Sequence, residues 1–374
     1  MVFNWVIHLE SKFMARRKFS FLLSSLILAI ACSSCNQLIK VSQKNTQVTS
    51  ENSQKNAENR GNRLDSIEKR GKLICGINEE LPGFSYKEQN GSYTGLSVDL
   101  CRAIAVVIFN DPTKVEFRHL NSQERFNAVT SGKVDILSRN TTWNLTRDTA
   151  KGLDFPPTNF YDGQGLLVPQ NSDIEILEDL YGKSVCVAIN TTAEANLVAQ
   201  MRKNNIPYNS VSFENPKQTY QAYESGECDA VTGDRSELVA ANTISGNPQR
   251  NKLLDLVFSK EPLGPVIANG EPEWFDVVEW VSYATIKAEE LGINSQNVDR
   301  FDNTNNPTIR RFLGMEGNLG KNIGLSNDFA RKIVKQVGNY GEIYDRNIGK
   351  PFGLDRGANN LVKNGGLLQS PPFR

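Results

Sequence analysis

The chain has 374 residues, with 42 Lys plus Arg against 42 Asp plus Glu, so its formal net charge is zero. That balance excludes binding driven by bulk charge, the usual footprint of nucleic-acid partners and of acidic solvating tails. A hydrophobic content of 39% and a mean hydropathy of −0.42 fit a soluble protein of one large or two ordinary domains, and the two histidines, His8 and His119, exclude a His-rich metal site.

Residues 14–35 read MARRKFSFLLSSLILAIACSSC. Arg16, Arg17 and Lys18 make a cationic start. The apolar run over residues 19–30 is shorter than the roughly 20 residues that a membrane helix needs. Ala29-Ile30-Ala31-Cys32 resembles a bacterial lipoprotein cleavage box without the usual Leu, and Cys35 is a second candidate. The expectation is an export signal over residues 1–35, with Met14 as its natural start and Cys32 as a lipidation site; an ordinary cleaved signal is the alternative. Residues 36–62 hold no aromatic side chain and almost nothing apolar after Val48. They cannot offset their ordering entropy and are expected to form a flexible tether. No later stretch is long and apolar enough to span a bilayer.

The body holds Cys75, Cys101, Cys186 and Cys228. An even number in an oxidising compartment reads as disulfides. Their order suggests 75–101 and 186–228, one per half of the body, among three possible connectivities.

Strand-like and helix-like runs then alternate. Residues 72–77 form an apolar strand, followed by a helix over 97–109 capped by Ser97, with Val98, Cys101, Ile104, Ala105 and Ile108 on one face. A strand over 114–118 follows, then a helix opened by the Asn121/Glu124 capping box and ended at Gly132, then a short strand over 134–137. The pattern restarts with a strand at 184–189, a helix from the Thr191/Glu194 box to residue 203, a strand at 211–213, a helix at 218–224 and a strand at 228–231. Asp234 and Glu237 form another box. Helices are expected over 274–290, 327–336 and 340–347, and residues 349–374 form an irregular, Gly- and Pro-rich tail. The pattern predicts an α/β fold of two similar lobes, each with a parallel sheet, whose strand-to-helix turns face one crevice.

Several segments carry a resemblance: GLSVDLCRAIA (95–105), ERFNAVTSGKVDILSRNTTWNLTRDTAKGLDF (124–155), YDGQGLLV (161–168), SVCV (184–187), GECDAVTGDRSEL (226–238), SKEPLGPV (259–266), AEELGI (288–293) and VGNYGEIYDRNIG (337–349). From about residue 64 onward the chain resembles the general L-amino-acid-binding proteins of bacterial ABC importers, which are type II periplasmic binding proteins of the polar-amino-acid family. The resemblance implies two α/β lobes joined by two crossover strands, near residues 163–168 and 259–266, with a ligand cleft between them. It places lobe 1 at 64–165 plus 266–348 and lobe 2 at 166–262. It further implies a periplasmic or extracytoplasmic monomer without enzyme activity or cofactor. The implied ligand is an L-amino acid, and the implied partners are the importer's permease subunits and ATPase, reached by hinge closure.

The same resemblance nominates site residues. Arg147 stands in the place of the family's carboxylate-binding arginine, because a planar guanidinium matches a carboxylate bidentately. Arg139 either faces the ligand side chain or makes a structural ion pair. Thr142, in the loop before Arg147, and Thr191 and Thr192, at a helix start, offer donors to the same carboxylate. Asn190 stands where the family commonly has Gly, which leaves that loop's backbone open. Asp234 is expected to take the ammonium, with helix capping as its alternative role. Leu81 and Phe84 are expected as an apolar wall, and Trp143 either closes the pocket or packs in the core. Glu79 and Glu80 would be the acids of an enzyme on the same fold, a dehydratase or a lyase, and a third reading is a ligand sensor for a signalling partner.

Overall fold

A computed structural model of the chain describes residues 62–374. The export signal, Cys32, Cys35 and the tether through residue 61 lie outside the described residues. The first half runs through helix Arg63–Arg70, β1 (Leu73–Ile77), the small strands β2 (Glu80–Leu81), β3 (Ser85–Lys87) and β4 (Tyr93–Thr94), and helix Leu96–Phe109. β5 (Val115–His119), helix Arg125–Thr130, β6 (Ile136–Thr142), helix Leu145–Ala150 and β7 (Leu153–Asp154) follow. β8 (Phe160–Pro169) leads into β9 (Ser184–Ala188), helix Thr192–Lys203, β10 (Asn209–Phe213), helix Pro216–Glu224, β11 (Ala230–Asp234), helix Arg235–Ile244 and β12 (Asn251–Leu253). β13 (Lys260–Ala268) returns to the first half, which helix Pro272–Glu290 and several shorter helices complete.

β1 pairs in parallel with β5 and β6, and β9 pairs in parallel with β10 and β11. One antiparallel strand flanks each trio, β13 beside β6 and β8 beside β11, and β8 and β13 pair with each other. The resulting order is β10-β9-β11-β8-β13-β6-β1-β5. Each half therefore repeats one arrangement, and a crevice forms at the carboxyl ends of the parallel strands. β8 passes between two cores. Its Phe160 belongs to the first-half core, where it meets the rings of Phe84 and Tyr344, whereas its Leu166 and Val168 belong to the second-half core with Val185, Leu197 and Ala230. Burying each such side chain contributes about 1.5–3 kcal/mol. Both halves are thus anchored on the same short strand. The segments expected to cross, 163–168 and 259–266, fall largely within β8 and β13.

Cys75 is bonded to Cys101 and Cys186 to Cys228, with Cα separations of 6.4 and 5.7 Å. Each bridge ties the first strand of a parallel trio to a neighbouring segment of its own half.

Three local expectations are corrected. The helix expected to start at Ser97 has Gly95 at its N-cap, with φ 131° and no side-chain cap. The Leu96 and Ser97 amides donate instead to the carbonyls of Gly83 and Phe84, each at 2.9 Å. A Cβ at Gly95 would lie 2.0 Å from the Phe84 oxygen, so only glycine fits. The strand expected to end at Leu137 continues to Thr142, because β13 pairs Leu263 and Gly264 with Thr142 and Thr141. The strand expected at 228–231 is Ala230–Asp234, so Asp234 ends a strand.

The segment after residue 349 is a series of short turns that packs closely. Leu361, Leu368 and Phe373 are buried, and Phe373 meets the rings of Trp280, Phe312 and Phe329. Asn359 exchanges side-chain hydrogen bonds with the backbone of Tyr161 on β8, at 2.6 and 2.9 Å.

Candidate functional site

A cavity of about 600 Å³ lies in the crevice, within the range of about 300–1,000 Å³ common for small-molecule sites. Its first-lobe wall includes Leu81, Ser122, Arg125, Arg139, Thr142 and Arg147, and its second-lobe wall includes Thr191, Thr192, Lys217, Tyr220, Asp234 and Glu237. Three guanidiniums thus gather on the first-lobe wall opposite Asp234 and Glu237 of the second, while Glu79 and Glu80 of the first lobe and Lys217 of the second also line the cavity.

Arg147 lies in the short helix Leu145–Ala150, whose N-cap Asn144 accepts from the Arg147 amide at 3.0 Å. Its Nη1 donates to the Thr142 carbonyl at 2.8 Å, and its guanidinium sits 5.4 Å from the centre of the Phe126 ring. The Arg125 guanidinium lies over the same ring at 4.7 Å. Stacking on an aromatic face holds the planar group in one orientation. Arg139 is on β6 and donates from Nη1 to the Leu120 carbonyl at 2.7 Å. Among the described residues, none of these three arginines forms a salt bridge. Burial, with its neighbours' positive charge, pushes the Arg125 pKa well down, and burial moves Arg139 to about 10. Arg139 still carries charge at neutral pH, and burial also lowers the Arg147 pKa, against the pull of Glu261 and Asp234.

Asp234 begins the helix Arg235–Ile244 without bonding to it. Its carboxylate instead accepts from Asn140 Nδ2 at 2.9 Å, and that amide also reaches Glu237 at 2.9 Å. The capping role is therefore corrected, and Asp234 faces the cavity. Burial, reinforced by Asp162, Glu237 and Glu261, raises the Asp234 pKa well above the ordinary carboxylate range. Burial raises Glu237 to about 7.

Thr142 ends β6, rather than lying in a loop, and its hydroxyl lies 3.2 Å from that of Thr192 in the opposite lobe. Both hydroxyls donate to Glu261 on β13, at 2.5 and 3.0 Å. Thr191 caps the helix Thr192–Lys203, accepting from the Glu194 amide at 3.2 Å. Asn190 has φ 59°, the left-handed conformation that glycine takes readily and asparagine tolerates best among other residues. The loop thereby keeps a glycine-like turn without glycine.

Leu81 lines the cavity, but Phe84 does not: it is 2% exposed and packs edge-on against Phe160 at 5.0 Å inside the core. Trp143 is also off the wall and out of the core, at 48% exposure. Successive residues at the end of a strand point to opposite sides, so Thr142 faces the cleft and Trp143 does not. Glu80 forms an ion pair with Lys217 of the other lobe at 2.9 Å, and Glu79 accepts from the Tyr93 hydroxyl at 3.2 Å. Sequence reasoning missed Ser122, Arg125, Asn140 and Glu261, and took Glu237 only as a capping partner. Arg125 and Glu261 stand inside the motifs ERFNAV and SKEPLGPV, where an unexplained charge amid apolar residues was the available signal.

Residues 73–292 match the family of bacterial extracellular solute-binding proteins, family 3. The chain is 44% identical over 315 residues to the general L-amino acid-binding periplasmic protein AapJ of Rhizobium johnstonii, covering 83% of this chain and 92% of that one. It is 42% identical over 314 residues to the glutamate/glutamine/aspartate/asparagine-binding protein BztA of Rhodobacter capsulatus, covering 83% and 93%. A solved ABC transporter periplasmic binding protein from Brucella ovis, with glutathione bound, is similar with a TM-score of 0.82 and 43% identity over 84% of this chain and all of that one. By its sequence motifs, its twinned sheets and these likenesses, the chain belongs to the bacterial extracellular solute-binding proteins, family 3.

Proposed function

We propose that the cleft captures L-amino acids and that the closed protein hands them to the permease and ATPase subunits of an ABC importer. The opposed polarity of the walls carries this reading: guanidiniums from the first lobe face carboxylates from the second. A zwitterion laid across the cleft satisfies both and draws the lobes together. Arg147 receives the α-carboxylate, with the backbone amides of Thr191 and Thr192 at the helix start as further donors and the Thr142 hydroxyl joining them when it exchanges Glu261 for the ligand, and Asp234 receives the ammonium. Leu81 supplies apolar contact that makes little demand on shape. The names of the relatives, a general L-amino-acid binder among them, support this ligand class.

The working unit is a monomer with lobe 1 at residues 64–165 plus 266–348, lobe 2 at 166–262, and the remaining C-terminal segment braced against lobe 1. The signal over residues 1–35 exports it to the periplasm, Cys32 anchors it by acylation, and residues 36–62 tether it. Calorimetry of the twenty L-amino acids against their D-isomers tests the reading. At least one L-isomer is expected to bind, and Arg147→Ala to weaken it thirtyfold or more, the equivalent of about 2 kcal/mol or more for a buried charge pair that loses one partner. Native affinity in that variant would overturn the assignment.

A further inference from the structure

Glu261 lies where the two crossing strands meet. On β13 it stands opposite Asp162 of β8, and two residues further on Leu263 pairs with Phe160 of β8 and Thr142 of β6. It is 2% exposed, and its carboxylate accepts four hydrogen bonds. Oε2 takes the hydroxyls of Thr142, at 2.5 Å, and Thr192, at 3.0 Å. Oε1 takes Asn196 Nδ2, at 2.9 Å, and the Ser259 hydroxyl. Thr142 ends β6 in the first lobe, whereas Thr192 and Asn196 lie on the helix Thr192–Lys203 of the second. One buried carboxylate thus ties β6 to that helix across the cleft.

These bonds compete with a ligand. A threonine hydroxyl has one hydrogen to donate. While Thr142 gives it to Glu261, none is left for a carboxylate in the cavity that Thr142 lines. Burial lowers the Arg147 pKa and the Glu261 charge opposes that fall, so the same carboxylate also acts on the guanidinium assigned to the ligand. Hydrogen bonds to an ionised acceptor are roughly twice as strong as neutral ones, so the bridge is not a casual contact. Moving the lobes apart breaks the Thr142 bond and leaves Glu261 with its second-lobe partners.

We propose that Glu261 is a latch, which fastens the lobes of the ligand-free protein by bridging Thr142 to Thr192 and Asn196, and which a ligand displaces from Thr142 as it binds. The latch rests on these hydrogen bonds alone; its release rests on the amino-acid reading. Small-angle X-ray scattering of the purified ligand-free protein tests the latch. Glu261→Gln keeps the size of the side chain but loses its charge and one acceptor oxygen. Glu261→Asp keeps the charge but falls one methylene short of the bridge. Both are expected to shift the radius of gyration upward, towards an opened cleft. Asn196→Ala, off the cavity wall, is expected to shift it in the same direction and decides the matter if a Glu261 variant fails to fold. Stopped-flow mixing with L-glutamate as the probe tests release, and both Glu261 variants are expected to bind it about tenfold faster than the unaltered protein. Scattering that is unchanged or more compact in the variants would overturn the latch. Faster binding by Glu261→Gln alone, with Glu261→Asp like the unaltered protein, would assign the effect to charge repulsion and overturn it too. If no L-amino acid binds at all, the amino-acid reading fails and the scattering still decides the latch.

Discussion

A buried carboxylate and a buried guanidinium on opposite walls of a cleft each carry a desolvation cost that an incoming zwitterion offsets. Asp234 illustrates the consequence. Burial and neighbouring acids favour its protonated form, whereas an ammonium placed beside it favours the ionised form. Ligand binding is therefore expected to release a proton at any pH where the ligand-free Asp234 holds one. Calorimetry in two buffers of different ionisation enthalpy reads that proton directly, and identical heats in both would contradict it. Asp234→Asn should abolish the buffer dependence and weaken binding by about 2–5 kcal/mol. At this scale the motifs around Arg147 and Asp234 were legible, because they stand in runs that resemble a family. Arg125, Asn140 and Glu261 were not, because their roles depend on which distant side chains face them. Phe84 and Trp143 were misjudged for a related reason: a sequence gives an aromatic's position along the chain, and packing alone decides the side to which it turns.

At the scale of the element, alternating apolar runs located the main strands and helices of both halves, but not the helices Arg63–Arg70, Leu145–Ala150 and Pro307–Phe312 or the small strands β2, β3, β4, β7 and β12. Errors fell where a distant partner sets the boundary. β6 carries the polar run SRNTT to Thr142 only because β13 holds it, more than a hundred residues away in sequence. The tail from residue 349 lacks periodicity, yet it buries Phe373 and binds β8 through Asn359. The disulfides act at this scale as well. Closing loops of 26 and 42 residues restrains the unfolded chain by roughly 3–4 kcal/mol each in a loop-entropy account. Cys186→Ser combined with Cys228→Ser is expected to lower unfolding free energy by about 2–5 kcal/mol in guanidinium titration. Because each bridge lies within one half, that variant should unfold the second half at lower denaturant than the first, and a single unshifted transition would count against this.

Across the whole molecule, side-chain bonds over the cleft include Thr142 with Thr192, Asn140 with Asp234 and Glu237, Arg125 with the Asn190 carbonyl, and Glu80 with Lys217. Their acids give the fold a pH dependence. Glu237 titrates at about 7 in the folded protein against 4.5 as its ordinary value, and burial raises Asp162 and Asp234 in the same direction. A raised carboxyl pKa means that the native state holds its proton longer than the unfolded chain does. That contribution to stability is complete below pH 4.5 and is lost as pH rises to about 7. The unfolding temperature of the ligand-free protein is expected to fall across this window. The slope should be on the order of 1.4 kcal/mol per pH unit at most for one proton. Glu237→Gln should flatten it, and an unchanged slope in that variant would assign the effect elsewhere.

The sequence by itself determined the α/β class, the two repeated halves and the family, because these rest on local periodicity and long contiguous motifs, and it suggested, among three connectivities, the cysteine pairing that the structure has. Only the tertiary structure decided the composition of the cleft. Strand pairing across β8 and β13 brings together residues more than a hundred positions apart, and it is burial there, not residue type, that converts ordinary arginines and carboxylates into two facing walls of unspent charge.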